Sequence, residues 1–335
     1  MAATAAALAL LGGCSGPSLE VLERHPNPFL ARQGTDLRLQ GQRYRFVGLN
    51  AFTLTGCGFA DQLLDDAQLD VFFASLRPHS LVRTFAYASM ALPAIDRVVA
   101  AARAHGHMLI LSLAGHDAGC QEPAKDQAFY QTGFRDTYLP WVQQIVARFK
   151  DDPAVGMWEP ISAPVNIDKL TLRTFFDVVG GEIHRIDSNH LVESGTHGPW
   201  AYDADGGYAF IHESAGIDVA SFRDYDTTHP EPPNLAPSLS ALATVGKPLI
   251  LVEAGMFASI PGDPTKLDSS MMPCISWPQR RDRFAAWLGV AFSTDLAGVG
   301  VWNWTPDEKS SQTPCQYDTA PSDPLVQLVH DYPVP

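Results

Sequence analysis

From Tyr44 to Trp304 the chain alternates short apolar runs with stretches of helical spacing. The runs Tyr44–Asn50, Ser80–Phe85, His107–Leu113 and Ala154–Glu159 read as strands, and His190–Ser194, Asp218–Tyr225, Pro248–Glu253 and Gly298–Trp304 continue the series. His107–Leu113 is almost wholly apolar, as a strand covered on both faces must be. Between the runs, Asp61–Leu76, Leu92–Ala104, Tyr138–Lys150, Thr171–Ile186, Leu235–Thr244, Arg280–Phe292 and Pro324–His330 carry helical periodicity. In Tyr138–Lys150, for example, Leu139, Val142, Ile145, Val146 and Phe149 share one face. Alternating strands and helices imply a parallel sheet, and eight such units imply closure into a barrel. The expected fold is therefore α/β, a single (β/α)8 barrel, preceded by a small β-hairpin over Leu37–Phe46 that turns at Gln40-Gly41-Gln42. An open doubly wound sheet is the alternative, but no Gly-rich phosphate loop follows the first strand.

Two terminal features lie outside that pattern. Ala2 to Leu11 is small and apolar, too short to span a bilayer, and ends in Leu11-Gly12-Gly13-Cys14-Ser15. This resembles a lipobox, which makes 1–14 an export signal with Cys14 as the lipidated residue. Residues 15–35, rich in Pro, Ser and Gly, read as a tether, and 36–335 as the barrel. Contact with a membrane is then expected only through the lipid anchor. A plain secretory leader is the other reading.

Export permits disulfides. Apart from Cys14 there are four cysteines, which allow three pairings. Cys57 and Cys120 follow the first and third predicted strands, and Cys274 and Cys315 the seventh and eighth. In a barrel each pair lies among loops of one rim, which favours Cys57–Cys120 and Cys274–Cys315 over free thiols. No cysteine stands at metal-ligand spacing from another cysteine or a histidine, so no metal site is expected. The net charge is −14, with no clustered Lys/Arg run, which argues against nucleic acid as a partner.

In barrels of this kind the chemistry sits where the strands end. The predicted strand ends carry Asn50, Arg83, His116 with Asp117, Glu159 to Ala163, Glu193, Arg223 with Tyr225, Glu253, and Trp302 with Trp304. Each alone could be a hydrogen-bonded structural group. Polar residues at the tips of so many apolar strands together point to a site.

Several of these segments resemble glycoside hydrolase family 5, in the clan of cellulases and β-mannanases. They are the entry segment from Arg32 to Asn50, Val82-Arg83-Thr84-Phe85, the run from Arg148 to Glu159, Lys247 to Gly255, and Gly298 to Trp304. The resemblance spans about Thr35 to Pro306. It implies retaining cleavage of a β-linked polysaccharide, a mannan or glucan, by a monomer with no cofactor. It implies Glu253 as nucleophile, and Arg83 and Tyr225 as hydrogen-bonding partners that keep Glu253 ionised. Trp302 would form the aromatic floor under the sugar, and His116 and Ser162 would contact sugar hydroxyls.

One departure bears directly on activity. The family reads Trp-Glu-Leu-x-Asn-Glu-Pro at the fourth strand, whereas Trp158-Glu159-Pro160-Ile161-Ser162-Ala163-Pro164 puts Ser162 at the Asn and Ala163 at the acid/base Glu. Alanine moves no proton, and general acid help is worth roughly 10²–10⁴ in rate. The alanine is open to three readings: a Glu→Ala change made to trap substrate, a natural non-catalytic carbohydrate binder, or replacement by another carboxyl. Glu159 lies four residues back, ~13 Å along a strand, while Glu193, Asp117 and Asp224 sit at other tips. Arg223 also stands where the family has His. A scaffolding role without sugar affinity is a further alternative, against which the aromatic rim counts. The segments Pro199–Ile217 and Pro261–Pro278 carry no readable pattern, though Trp200, Tyr202, Tyr208 and Trp277 in them are candidate sugar platforms.

Overall fold

The computed structural model describes residues 27–57, 63–202, 206–308 and 314–335. The export signal, Cys14 and most of the expected tether lie outside the described residues.

Eight parallel strands close the barrel: Phe46–Leu49, Leu81–Phe85, Met108–Ser112, Val155–Glu159, Leu191–Val192, Ala220–Tyr225, Leu249–Gly255 and Gly298–Val301. Their pairing falls into two four-stranded halves. One joins the second to fifth strands, and the other the first, eighth, seventh and sixth. Single parallel bridges, Asn50 to Arg83 and Glu193 to Val219, close the two seams. The principal helices, Asp66–Ala74, Leu92–Ala104, Tyr138–Phe149, Lys169–Ile186, Leu235–Leu242, Trp277–Phe292 and Pro324–Asp331, follow the expected order with slightly moved ends. Capping residues set several starts: Asp65 with Gln68 and Ser276 with Gln279 form reciprocal capping boxes, and Asp168 accepts from the Thr171 amide.

The N-terminal element corrects two expectations. It is a three-stranded antiparallel sheet, Leu30–Gln33, Asp36–Leu39 and Gln42–Tyr44, rather than a hairpin. Its first strand lies inside the segment read as tether, so the folded unit begins before residue 36. Leu30 and Leu37 are apolar positions on its inner face. They pack with Tyr44, Phe46, Leu81, Met108, Ile110, Met157, Leu191, Val219, Ile250 and Val252 into one cluster that plugs the barrel floor. A larger cluster fills the layer between strands and helices. Burying a Leu or Phe there contributes about 1.5–3 kcal/mol.

Above the apolar floor the inward positions become polar. The alternation of a strand would send Glu253 outward, because Ile250 and Val252 already point into the barrel. A bulge corrects this. Leu251 pairs with Phe222 but Glu253 pairs with Arg223, so Val252 is an extra residue and Glu253 also turns inward. Asn50 Nδ2 holds the bulge by donating to the Val252 carbonyl at 2.9 Å. Gly300 leaves room for it, since a Cβ there would lie 2.6 Å from that oxygen.

Two unreadable segments also acquire structure. Gly207–His212 is a short helix, and Ala258–Ser259, Asp263–Leu267 and Pro273–Ser276 form a small three-stranded sheet. Both expected disulfides are present, Cys57–Cys120 and Cys274–Cys315. The second ties this sheet to the segment after the eighth strand. Among the described residues no helix is long and apolar enough to cross a membrane, and no cluster of three potential metal ligands gathers.

Candidate active site

Arg83 is the hub of the polar layer. It projects from the second strand, buried, and its guanidinium meets five acceptors. Nε and Nη2 grip Glu159 in a fork at 2.5 Å each, and Nη2 also reaches Ser162 Oγ at 2.8 Å. Nη1 donates to Asn50 Oδ1 at 3.0 Å and to Glu253 Oε1 at 2.8 Å. Such charge-assisted forks fix geometry as well as charge. The expected contact of Arg83 with Glu253 is present, but its larger commitment is to Glu159.

Glu253 has a second guanidinium partner. Arg223 Nη1 lies 2.8 Å from the same Oε1, and the Tyr225 hydroxyl donates to Oε2. The sequence marked Arg223 only as a departure from His. The strand periodicity signalled it: residues 223 and 225 share a face, and the register sets Arg223 opposite Glu253. Arg223 Nη2 also donates to Ser162 Oγ at 3.1 Å and to the Gly195 carbonyl at 3.0 Å. Its Nε, buried, has no partner among the described residues. The Ser162 oxygen therefore accepts from both arginines, and only its own proton remains to offer a ligand.

Beneath these groups Glu159 and Glu193 form an acid pair. Burial pushes the Glu159 carboxyl up, but the charge and hydrogen bonds of Arg83 outweigh it and hold Glu159 well below the usual range. Ser112 Oγ adds a donor at 2.7 Å. Glu193 goes the other way: burial and the neighbouring Glu159 push it well above the usual range. One Glu193 oxygen accepts from the Gly195 amide at 2.9 Å, and the other, buried, has no hydrogen-bond partner among the described residues.

These contacts narrow the search for a replacement acid. Glu193 is 0% exposed and faces the pair below, not the cleft. Asp224, 2% exposed, points to the outer face and accepts from the Asn234 backbone amide at 3.0 Å. Glu159 is gripped by Arg83. Only Asp117, exposed on the loop after the third strand, remains free of such partners.

The Ala163 backbone is unusual. Its φ is +59°, a left-handed conformation that costs a non-glycine residue about 1–2 kcal/mol, and its amide donates to the Gly195 carbonyl at 2.9 Å. Around Ala163 stand two imidazoles. The His116 amide donates to the Ser162 carbonyl at 2.9 Å, and its ring Nδ1 pairs with the Tyr130 hydroxyl at 2.9 Å. His197, missed in the sequence, has its ring within reach of the Ala163 backbone. Burial, then the Arg223 charge, depress it to about 3, so it stays neutral. Burial likewise lowers His116, and the nearby Asp117 opposes the shift.

Trp302, at the eighth strand tip, is half-buried and stacks on Phe52 at 5.4 Å with planes 10° apart. Its amide bonds the carbonyl of Ala254, next to Glu253. The remaining aromatic candidates divide. Trp200 is 64% exposed, whereas Tyr202, Tyr208 and Trp277 are buried in packing and offer no platform. Tyr202 and Tyr208 spend their hydroxyls on the Pro164 and Ser221 carbonyls.

The described site is thus a carboxylate gripped by two arginines and a tyrosine beside an aromatic face, with Ala163 just past the fourth strand. No protein-family model matches the chain. Mannan endo-1,4-beta-mannosidase 7 of Oryza sativa subsp. japonica is 27% identical over 261 residues, covering 62% of this chain and 69% of that protein. Mannan endo-1,4-beta-mannosidase 8 of the same organism is 28% identical over 185 residues, covering 43% of this chain and 50% of that protein. In structure, the chain is similar to the endo-1,4-beta-mannanase from Rhizomucor miehei, with TM-score 0.69 at 20% identity over 90% of this chain and 97% of that one. It is also similar to a glycoside hydrolase family 5 mannosidase from the same organism, with TM-score 0.67 at 15% identity over 92% and 97%. At such identities the structural likeness shows the fold.

Proposed function

Because this chain belongs with the cellulase/mannanase-like glycoside hydrolases of family 5, we propose that its cleft binds a β-linked mannan and that Glu253 is the nucleophile of a retaining mechanism. The mannan endo-1,4-beta-mannosidase relatives favour mannan over glucan. The observation that carries the reading is the triple hold on Glu253 by Arg83, Arg223 and Tyr225 at the C-terminal mouth of the barrel. Those contacts hold the carboxylate oriented for attack on an anomeric carbon. Trp302 supplies the face on which the sugar rests, and His116 and Ser162 bind its hydroxyls. Position 163 is the acid/base site, and with alanine there hydrolysis of ordinary glycosides is slowed by roughly 10²–10⁴. The two disulfides support an exported protein, anchored through a lipid on Cys14.

A second reading, a surface-anchored carbohydrate binder without catalysis, rests on Ala163 together with a Ser162 oxygen already engaged by both arginines. Azide rescue separates the two. Aryl β-mannosides with a good leaving group need little protonation, so Glu253 still becomes glycosylated. Azide then enters the space beside Ala163. Acceleration by azide, and azide-independent hydrolysis of mannan by Ala163→Glu, support the enzyme. If neither occurs although the protein binds manno-oligosaccharides, the binder reading replaces it.

A further inference from the structure

The deglycosylation half of the reaction raises a question of charge. In the free protein Arg83 and Arg223 are ion-paired with Glu159 and Glu253, and burial together with the neighbouring Glu159 pushes the Glu193 carboxyl up. Once Glu253 forms an ester with the sugar its charge is gone. Two guanidinium groups then face one carboxylate, and Arg223 Nη1 loses its only ionic partner. The site becomes cationic at the moment an acceptor must enter. An acid/base glutamate would offset that charge, but Ala163 does not.

The groups nearest Ala163 share this bias. Arg223 Nη2 and the Ala163 amide bond the same Gly195 carbonyl, at 3.0 and 2.9 Å, which sets the guanidinium beside residue 163. Arg223 Nε is already without an acceptor. The His116 Nδ1 is taken by Tyr130, while no hydrogen bond within the described protein engages its Nε2. Ser162 retains a proton to donate. Apart from Glu253 and exposed Asp117, no carboxylate among the described residues is free to face this corner: Glu159 is gripped by Arg83, Glu193 is buried, and Asp224 is held by Asn234.

We propose that the space over Ala163 is an oxyanion site and that the acceptor in this protein is an anion, inorganic phosphate or a carboxylate, rather than water. This rests on the assignment of Glu253 as nucleophile. The step balances without a general base. A phosphate oxygen attacks the anomeric carbon and forms the new C–O bond. The bond to Glu253 breaks, and its electron pair returns to the carboxylate. Water would have to lose a proton in the same step, and Ala163 cannot take it. By microscopic reversibility a glycosyl phosphate is also a donor, since phosphate leaves without protonation. The substrate class is therefore sugars linked to acidic leaving groups, and the reaction is glycosyl transfer between oxyanions.

The test uses the protein as it stands, with a 2,4-dinitrophenyl β-mannoside as donor and phosphate, acetate or azide as acceptor. Phosphate is expected to raise steady-state turnover at least tenfold, with saturation, and to yield mannosyl phosphate detectable by phosphorus NMR. Ala163→Glu is expected to abolish the phosphate effect by returning a negative charge to the corner, while gaining hydrolysis by water. His116→Phe is expected to raise the phosphate concentration for half-saturation about tenfold. If azide accelerates turnover but phosphate and acetate do not, the oxyanion site is wrong and Glu253 as nucleophile survives. If no acceptor has any effect and no sugar is found on Glu253 by mass spectrometry, both ideas fall together.

Discussion

Arg223 Nη1 lies 2.8 Å from Glu253 Oε1, the same oxygen that Arg83 Nη1 contacts at 2.8 Å. One carboxylate oxygen thus meets two guanidinium groups from opposite sides of the barrel, Arg83 as hydrogen-bond donor and Arg223 as ion-pair partner, and Tyr225 holds the other. Arginine at position 223 is an integral part of the support of Glu253.

Removing that support should be costly. In the Ala163→Glu background, Arg223→Leu is expected to lower kcat/KM on β-mannan by roughly 10–100-fold, the equivalent of one hydrogen bond to a charged group, about 1.5–3 kcal/mol. Steady-state kinetics on soluble mannan reads this directly. An unchanged rate would show that Arg83 and Tyr225 suffice.

The bulge at Val252 makes a second prediction. A Cβ on Gly300 would lie 2.6 Å from the Val252 carbonyl and 3.0 Å from Asn50 Nδ2. Gly300→Ala should therefore destabilise the fold by about 1–3 kcal/mol, as overpacking does, and cut labelling of Glu253 by a mechanism-based mannoside. Gly289, in the helix Trp277–Phe292, has open space around it. Gly289→Ala should instead stabilise by up to about 1 kcal/mol. Urea midpoints of the two variants must move in opposite directions.

His212 gives the stability a pH dependence. It is fully buried, with Nδ1 at 2.7 Å from the Tyr208 carbonyl and Nε2 at 2.9 Å from Ser194 Oγ, and burial depresses it to about 3. An unfolded histidine titrates near 6.5. Below that pH the unfolded state binds a proton that the folded state refuses, so this stabilisation is complete above about 6.5 and lost as pH falls toward 3. The expected slope is about 1.4 kcal/mol per pH unit from this group. His212→Gln should be less stable at pH 7 yet show a shallower loss between pH 6 and 4. Parallel urea titrations for both proteins would contradict the assignment.

The Cys274–Cys315 bridge spans 41 residues. Chain-entropy arguments put such a closure at about 4 kcal/mol, with 2–5 kcal/mol typical of measured losses. Cys274→Ser with Cys315→Ser is expected to lower stability in that range. It should also expose the strands Asp263–Leu267 and Pro273–Ser276 to proteolysis and to amide exchange while the barrel core stays protected. Equal loss of protection throughout would place the bridge in the core's cooperative unit instead.

Much of this was legible because periodicity is a local property. The eight strands, the main helices and both disulfides follow from apolar spacing and from where cysteines fall relative to strand ends. The sequence also exposed Glu253, Arg83 and Tyr225, since polar residues at apolar strand tips stand out, while Ala163 stood out only through the resemblance of Trp158–Pro164 to the family's fourth strand. What it hid depends on register. Alternation alone would have turned Glu253 outward, and only the extra residue in the pairing with the sixth strand returns it. The Arg223 contact likewise needs a cross-strand neighbour, and the nearness of Glu159 to Glu193, which pushes the Glu193 carboxyl up, needs two strands brought together inside the barrel. Leu30–Gln33 passed for tether because four residues are too few for a period. Tyr202, Tyr208 and Trp277 looked like platforms because burial inside a long loop leaves no mark on composition.

The two seams of the barrel are each closed by a single backbone bridge, and the polar layer crosses between the halves. Arg83 belongs to one half and Glu253 to the other. Arg223 reaches back from the second half to Ser162 in the first. The site is therefore also a clasp. Its ion pairs add to the few backbone bonds that join the two half-shells. Under the proposed mechanism, esterifying Glu253 would undo part of the fastening, so each catalytic cycle would loosen and relatch the vessel in which it takes place.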